Sequence, residues 1–182
     1  MRRPLKTLLL VAALVPATLA LPAASADAAT AACAASSLHP ALLPTAQARK
    51  ITLCLLNRER RRHGMPRLRL NRRLTNAATR HSRNMVRRDF FAHGNFVARI
   101  LNARYAGRRS SWSLGENIAW GTGSLATPRE IVRGWMNSSG HRHNILNRRF
   151  LDIGIGIVAG APGVARSAAA GATYTTDFGR RG

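Results

Sequence analysis

Among the side chains that can hold metal ions, transfer protons or bind polar ligands, four stand out by their sequence context. They are two histidines and two glutamates: His93, Glu116, Glu130 and His141. His141 is the strongest candidate, because a glycine precedes it and amides follow it, and a loop of that kind fixes the direction of an imidazole. We expect these four residues to form the corners of one cleft.

The two glutamates differ in whether a purely structural role accounts for their position in the sequence. Glu116 is one of only 7 acidic residues and lies in the apolar, glycine-bounded stretch 113–121. A carboxylate there needs a partner, because a buried unpaired charge is costly. Glu130 falls three residues after Thr127, the predicted cap of a helix, so the capping-box pattern gives it a purely structural alternative.

The histidines also have structural alternatives. His93 could be an exposed histidine at the negative end of a helix dipole. His81 lies in the apolar stripe of a predicted helix and is expected behind the cleft as a hydrogen-bonded support, together with Asn117 and Asn144. His143 is expected at the rim.

Two imidazoles and two carboxylates could serve three chemical purposes. They could hold a divalent cation such as zinc, with His93 and His141 as candidate ligands. They could act as a general acid and base, or form a buried and mutually satisfied polar network. The sequence contains no recognisable Ser or Cys nucleophile signature and no His-Glu-x-x-His helix, so no motif supports catalysis.

The elements that position these residues follow from hydrophobic period and helix caps. Segments 151–158 and 172–178 are predicted to be antiparallel strands joined by a long hairpin loop. Helices preceding a terminal hairpin indicate an α+β domain in which helices cover an antiparallel sheet. The predicted helices cover 47–63, 72–89 and 96–105, with a fourth that opens at Thr127 and runs into the stretch 135–147.

Residues 1–26 are predicted to be a signal peptide. A basic start is followed by the apolar run 7–21 and by the small residues Ala24-Ser25-Ala26, which suit a signal peptidase. The alternative is an uncleaved membrane anchor, which the short run and Pro16 disfavour. The mature protein is therefore expected to be secreted.

The remaining chain is predicted to be one domain, 46–182, after a flexible Ala- and Pro-rich lead-in, 27–45. In an exported chain, Cys33 and Cys54 predict one disulfide, which would stabilise the fold by roughly 3 kcal/mol on a chain-entropy model. The alternative is a buried free Cys54 on a helix face.

The charge balance is strongly basic. The chain has 29 Lys and Arg residues, nearly all arginine, against 7 acidic residues, for a formal net charge of +22. Such a field attracts anionic envelope polymers or lipids without sequence specificity. No basic stretch is interleaved with aromatics and none matches a groove-reading motif, so no specific nucleic-acid role is expected. We expect a monomer.

Several segments, in order, resemble the CAP superfamily, also called SCP/TAPS, in its exported bacterial branch. This is the superfamily of cysteine-rich secretory proteins, antigen 5 and plant pathogenesis-related proteins. The similar segments span about 46–182: 56–60, 81–85, 90–93, 115–121, 135–146, 153–158 and 174–179.

The resemblance implies a three-layer αβα sandwich with a cleft of two histidines and two acidic residues. The matching positions are His93, Glu116, Glu130 and His141, which in some members resemble a divalent-metal site. The loop after His93 lacks the acidic segment often found there, and His143 stands where a small residue is usual.

Three functions fit these observations. The first is an exported, non-enzymatic binding module whose cleft holds a divalent metal or a polar ligand and whose basic surface adheres to the anionic envelope. The second is a metal-dependent hydrolase of peptide or envelope polymer. The third is a lipid- or sterol-binding carrier with an apolar groove.

Overall fold

A computed structural model describes residues 33–107, 111–164 and 170–182. The predicted signal peptide therefore lies outside the described residues. Within them, the helices are α1 Thr45–Arg62, α2 Arg72–Arg87, α3 Phe96–Asn102, α4 Pro128–Asn137 and α5 Ser139–Leu146. The strands are β1 Arg69–Leu70, β2 Trp112–Thr122, β3 Asp152–Ala159 and β4 Gly171–Arg181. Short 3-10 helices cover Pro40–Leu42 and Gly123–Ala126.

The strands form one sheet in the order β1-β3-β4-β2. The predicted hairpin of β3 and β4 is confirmed as an antiparallel pair, and β2 runs antiparallel to β4 on its other side. The short β1 is parallel to β3, so the sheet is mixed and not wholly antiparallel as predicted. A parallel pair needs a long crossover, which the helices and β2 between β1 and β3 supply.

Helices cover both faces of the sheet, which confirms the three-layer αβα sandwich. On one face, α1, α4 and α5 pack onto a large apolar core that includes Ile155, Tyr174 and Phe178. On the other face, α2 and α3 form a smaller apolar cluster around Leu74 and Ile100.

Alternation along β3 makes the two faces different. Its isoleucines face the large core, whereas Gly154 and Gly156 face α2. A Cβ added to Gly154 would lie 2.0 Å from the backbone carbon of Leu74, and one added to Gly156 would lie 2.4 Å from that of Ala78. These glycines let neighbouring backbone approach closely, so α2 lies against the sheet backbone itself.

The lead-in is held to the domain over its described part. Cys33 and Cys54 form the predicted disulfide. The carbonyl of the buried Ser36 accepts from the Arg129 N–H at 3.0 Å, and the His39 ring hydrogen-bonds the carbonyl of Ala170 at 3.0 Å. Residues 33–44 are therefore tied to the domain by a disulfide and by hydrogen bonds, and the flexibility expected of the lead-in 27–45 stays a prediction.

Candidate functional site

Glu116 is at the centre of the candidate site. It lies on β2, a segment left without an assigned element by the sequence, and its side chain is completely buried. Neighbouring residues of a strand point to opposite faces, so Glu116 faces the α2 and α3 layer while Asn117 faces α5. Both carboxylate oxygens of Glu116 have basic partners, which satisfies the requirement for pairing that its sequence context imposed.

His93 is the first of these partners. Its Nδ1 hydrogen-bonds Oε1 of Glu116 at 2.8 Å, while about half of its side chain remains exposed. It lies in the loop between α2 and α3, where Gly94 adopts φ +56°, a conformation that glycine takes without strain. The buried His81 of α2 hydrogen-bonds the carbonyl of Ala92 at 3.0 Å and so attaches this loop to α2.

Arg99 of α3 is the second partner. Its guanidinium bonds Oε2 of Glu116 through Nη2, and through Nη1 it donates to the carbonyl of His93 at 3.1 Å. Asn95 caps α3 by accepting from the Ala98 N–H at 2.9 Å, which fixes where the helix begins. Arg99 therefore neutralises Glu116 and also ties down the loop that carries His93.

Asp177 on β4 places a second carboxyl group beside Glu116. The two residues are direct partners in the antiparallel ladder, and Asp177 is fully buried. No donor among the described residues reaches either of its oxygens. Burial first, and the Glu116 carboxylate second, raise the pKa of Asp177 well above its usual range. A raised pKa favours the protonated, neutral form of the Asp177 carboxyl, which lowers the cost of burying it beside the Glu116 carboxylate.

Neither Arg99 nor Asp177 was selected as a site residue from the sequence. Arg99 is one arginine among many, and nothing in its neighbourhood distinguishes it. Asp177 carried a usable signal, because it is one of only 7 acids and lies in a strand of otherwise apolar and hydroxyl residues. The reasoning that selected Glu116 applies equally to Asp177.

His141 lies on a helix and not in the loop that the sequence suggested, since α5 begins at Ser139. Asn117 donates to the carbonyl of His141 at 3.1 Å, and Asn144 donates to Oδ1 of Asn117 at 2.9 Å and to the carbonyl of Glu116 at 3.1 Å. These amides attach α5 to the outer strand of the sheet. Burial lowers the pKa of His141, and the nearby His93 lowers it further.

Arg60 of α1 fixes the other end of α5. Its buried guanidinium donates to the carbonyls of Ile145 at 2.7 Å, Asn147 at 3.0 Å, Phe150 at 2.9 Å and Pro66 at 2.6 Å. Burial lowers its pKa to about 10, so it stays charged at neutral pH. The last turn of α5 is therefore held by a cation that complements its free carbonyls.

Glu130 makes its contacts within its own helix and cap. It lies on α4, where its N–H donates to Oγ1 of the Thr127 cap at 3.4 Å and its carboxylate pairs with Arg133 one turn later. The structure thus brings together His93, Glu116 and His141. Thr127 caps the helix as predicted, but the Glu130 carboxylate pairs with Arg133, and the Thr127 N–H donates to the carbonyl of Ser124. His143 is exposed.

The described residues do not fit a divalent metal in this arrangement. In the part of the chain that the structure describes, no three His, Cys, Asp or Glu side chains are grouped so that they could hold one. Glu116 is already bonded at both oxygens, and the positive charge of Arg99 at one of them opposes a cation. Metal binding through His93 and His141 stays a prediction.

The geometry supplies a histidine held by a buried carboxylate. With Nδ1 donating to Glu116, the neutral His93 ring has an Nε2 lone pair left for a ligand or a water molecule. A hydroxyl nucleophile is not offered by Ser82, which is buried and bonded to Thr175 at 2.8 Å. The arrangement is thus suited to hydrogen bonding a polar group.

Comparison with known proteins assigns the fold to a family. The family model for the cysteine-rich secretory protein family, CAP, matches residues 53–175. The chain belongs to the CAP family. The Bacillus subtilis protein YkwD is 37% identical over 105 residues, and the Bacillus subtilis membrane protein YlbC is 31% identical over 109. These matches cover 57% and 59% of this chain, but only 40% and 31% of the two relatives.

Solved structures support the same assignment. An extracellular, SCP-domain protein of Bacillus anthracis superposes with a TM-score of 0.55 at 26% identity, over 75% of this CAP chain and 43% of that one. An outer surface protein of Borrelia burgdorferi has a TM-score of 0.62 at 18% identity, over 77% of this chain and 97% of that one, and so shares the fold. Among the described residues, no helix has the length and apolarity to cross a membrane.

Proposed function

We propose that this CAP-domain protein is an exported, non-enzymatic binding module. In this proposal, the cleft between His93 and His141 accepts a polar group of an envelope ligand, and the arginine-rich surface keeps the protein on the anionic envelope. The observation that carries the proposal is the His93 side chain, which is 49% exposed although its Nδ1 is bonded to a fully buried carboxylate. A fixed but accessible imidazole is suited to recognise a hydroxyl or amide donor.

Export is supported by two further observations. The disulfide between Cys33 and Cys54 fits an oxidising compartment. The solved relatives are named as extracellular and outer-surface proteins. Mass analysis of protein recovered from the culture medium tests this part: a secreted chain that begins near Asp27 is expected, and a cell-associated full-length chain would contradict it.

The cleft is tested by observing its histidines directly. Soluble peptidoglycan fragments serve as the probe, and the imidazole resonances of His93 and His141 are followed by NMR. Saturable shifts of both rings are expected, with binding weakened at least about tenfold in His93→Ala, since a hydrogen bond to a charged or polarised group contributes roughly 1.5 kcal/mol or more.

His63→Ala is the matched control, because that histidine lies at the end of α1 and bonds the carbonyl of Glu59. Binding by this variant should equal that of the unaltered protein. Shifts that never saturate, or equal weakening in His63→Ala and His93→Ala, would contradict a cleft-based module.

A hydrolase is the second candidate, because a histidine held by a carboxylate is also the arrangement of a general base. His93 would take a proton from water through Nε2 while Glu116 orients the ring. Release of new amino or reducing ends from the same peptidoglycan fragments, lost in both His93→Ala and Glu116→Gln, would favour this candidate. Metal analysis of the same preparations tests whether the activity needs a cation.

The lipid carrier gains no support from the apolar space among the described residues. A cavity lined by Pro40, Leu43, Ala48 and Ile157 has a volume of about 180 Å³. Ligand pockets are commonly roughly 300–1,000 Å³. Lipid or sterol binding stays a prediction that a saturable binding assay with fatty acid can test.

A further inference from the structure

A second concave surface lies at the opposite edge of the sheet from Glu116. It is a groove of about 640 Å³ between α1 and α2, beside the short strand β1. We call it the arginine groove. Its lining residues are Arg49 of α1, Leu70 of β1, and Arg72, Thr75, Asn76, Thr79, Arg80 and Arg83 of α2.

The contribution of α2 is one continuous stripe. The six residues from Arg72 to Arg83 follow one another at intervals of three, one, three, one and three, which places them on the same side of the helix. Eleven steps of helical rise make the stripe about 16 Å long. A surface of that length is suited to an extended ligand and exceeds what a single small anion would cover.

The arginine groove contains hydrogen-bond donors and no carboxylate. Four guanidiniums, two hydroxyls and one amide line it, and in the described part of the chain none of the four arginines forms an ion pair with an acidic side chain. Like charges on neighbouring turns of a helix repel each other. An anion from outside would relieve that repulsion.

Two buried polar atoms also lack partners here. Nε of Arg49 and Oγ1 of Thr79 are both closed to solvent, and neither has a hydrogen-bond partner among the described residues. Buried polar groups are normally bonded, so each such atom calls for an explanation. Both belong to side chains that line the arginine groove, but because the two atoms are closed to solvent, a ligand in the groove would bond the exposed guanidinium groups instead.

We infer that the arginine groove binds a linear phosphodiester polymer of the cell envelope. Guanidinium groups bind phosphate oxygens through paired hydrogen bonds, and the interspersed hydroxyls and amide can donate to the remaining oxygens. A chain of phosphodiesters repeats its charge along its length, as the arginines repeat along α2. The groove contains no aromatic side chain on which a base could stack, which disfavours single-stranded nucleic acid as the source of the phosphodiester.

This inference gives a location and a chemistry to the surface adhesion in the proposed function, on which it partly rests. It is independent of the His93 cleft, because the two sites occupy opposite edges of the sheet. Binding at each site can therefore be measured whether or not the other site binds its ligand. His93→Ala should bind the phosphodiester probe as the unaltered protein does.

The test measures binding of a short poly(glycerol phosphate) oligomer over a range of salt concentrations. The triple variant Arg72→Gln/Arg80→Gln/Arg83→Gln is compared with Arg142→Gln/Arg148→Gln/Arg149→Gln, which removes the same charge from exposed arginines around α5. We expect the groove variant to bind at least about tenfold more weakly. The slope of log K against log salt should fall by about two, since each phosphate contact contributes about 0.7 in single strands. The α5 variant should retain most of the affinity.

Equal weakening in the two triple variants would overturn the inference, because it would mean diffuse attraction to net charge. Poly-glutamate of matched charge that binds as tightly would overturn the choice of phosphodiester, and tighter binding of oligothymidylate would overturn the envelope source. Circular dichroism checks that both variants fold. Arg80→Lys/Arg83→Lys adds a variant that keeps the charge but loses the paired geometry, and it should bind with intermediate affinity.

Discussion

The two faces of the sheet show how one strand pattern can produce both a stable core and a reactive polar cluster. On the face covered by α1, α4 and α5, the strands present Ile153, Ile155, Tyr174 and Phe178, and stability comes from apolar burial. On the face covered by α2, the same strands present Gly154, Gly156, Thr175, Asp177 and Glu116.

The comparison indicates that close packing of backbone, and not only burial of apolar side chains, can shield a polar site from water. The glycines let α2 approach the sheet until backbone meets backbone, which leaves little room for water. Asp177 and Glu116 are therefore buried side by side in a space where charge is costly. Arg99 and His93 pair with the Glu116 carboxylate, and the raised pKa of Asp177 favours its neutral form, so the two carboxyl groups can be buried together.

The largest expected effect is on the apolar face. Phe178→Ala should lower the free energy of unfolding by about 4 kcal/mol, because it removes a fully buried ring that stacks on Phe150 with centroids 5.6 Å apart. Chemical denaturation at constant pH measures it. A loss below about 1 kcal/mol would show that this face is not the main source of stability.

A smaller but still large effect is expected on the glycine face. Gly154→Ala should cost about 3 kcal/mol, since the new methyl would overlap the backbone of α2, which cannot move as a side chain can. Gly134→Ala in α4 is the control: nothing lies within 4 Å of its added Cβ, so it should be neutral or stabilise by up to about 1 kcal/mol. Similar costs at the two positions, measured by denaturation, would contradict the close approach of α2.

The smallest effect is a dependence on pH that only the glycine face should show. Because the pKa of Asp177 is raised in the folded state, its favourable contribution is present below its ordinary pKa and is lost as pH rises towards the raised value. Asp177→Asn should therefore gain stability relative to the unaltered protein as pH rises across that interval. Parallel stability curves for the two proteins between pH 4 and neutrality would rule out a protonated Asp177.

Much of the architecture could be predicted from local patterns. Helix periods, the cap Thr127 and the period-two run in β3 depend on neighbours within one element, and the structure confirms each of them. The stretch 113–121 was harder, because its strand carries a glutamate, an asparagine and two glycines that obscure the alternation. The helix at His141 was missed for a similar reason: a Gly beside polar residues resembles a loop.

The site was predictable only in part. Glu116 and His93 stood out because rare residue types lay in unusual surroundings. Their contact with each other, and with Arg99 and Asp177, depends on strand register and on the placement of a loop 23 positions away from Glu116. No local pattern specifies such pairings.

The sequence by itself determined most of the helices, the strands β3 and β4, the disulfide partners and the scarcity of acids that marks Glu116. Only the tertiary structure decided which charges are buried. Arg60 belongs to a basic run that looks like a solvated helix face, yet it is enclosed and bonded to four carbonyls. Arg99 of α3 likewise became the partner of Glu116, while three arginines of α2 line an open groove. The physical reason is that the free energy of a charge depends on the water and partners around it, and those are set by contacts between segments distant in sequence.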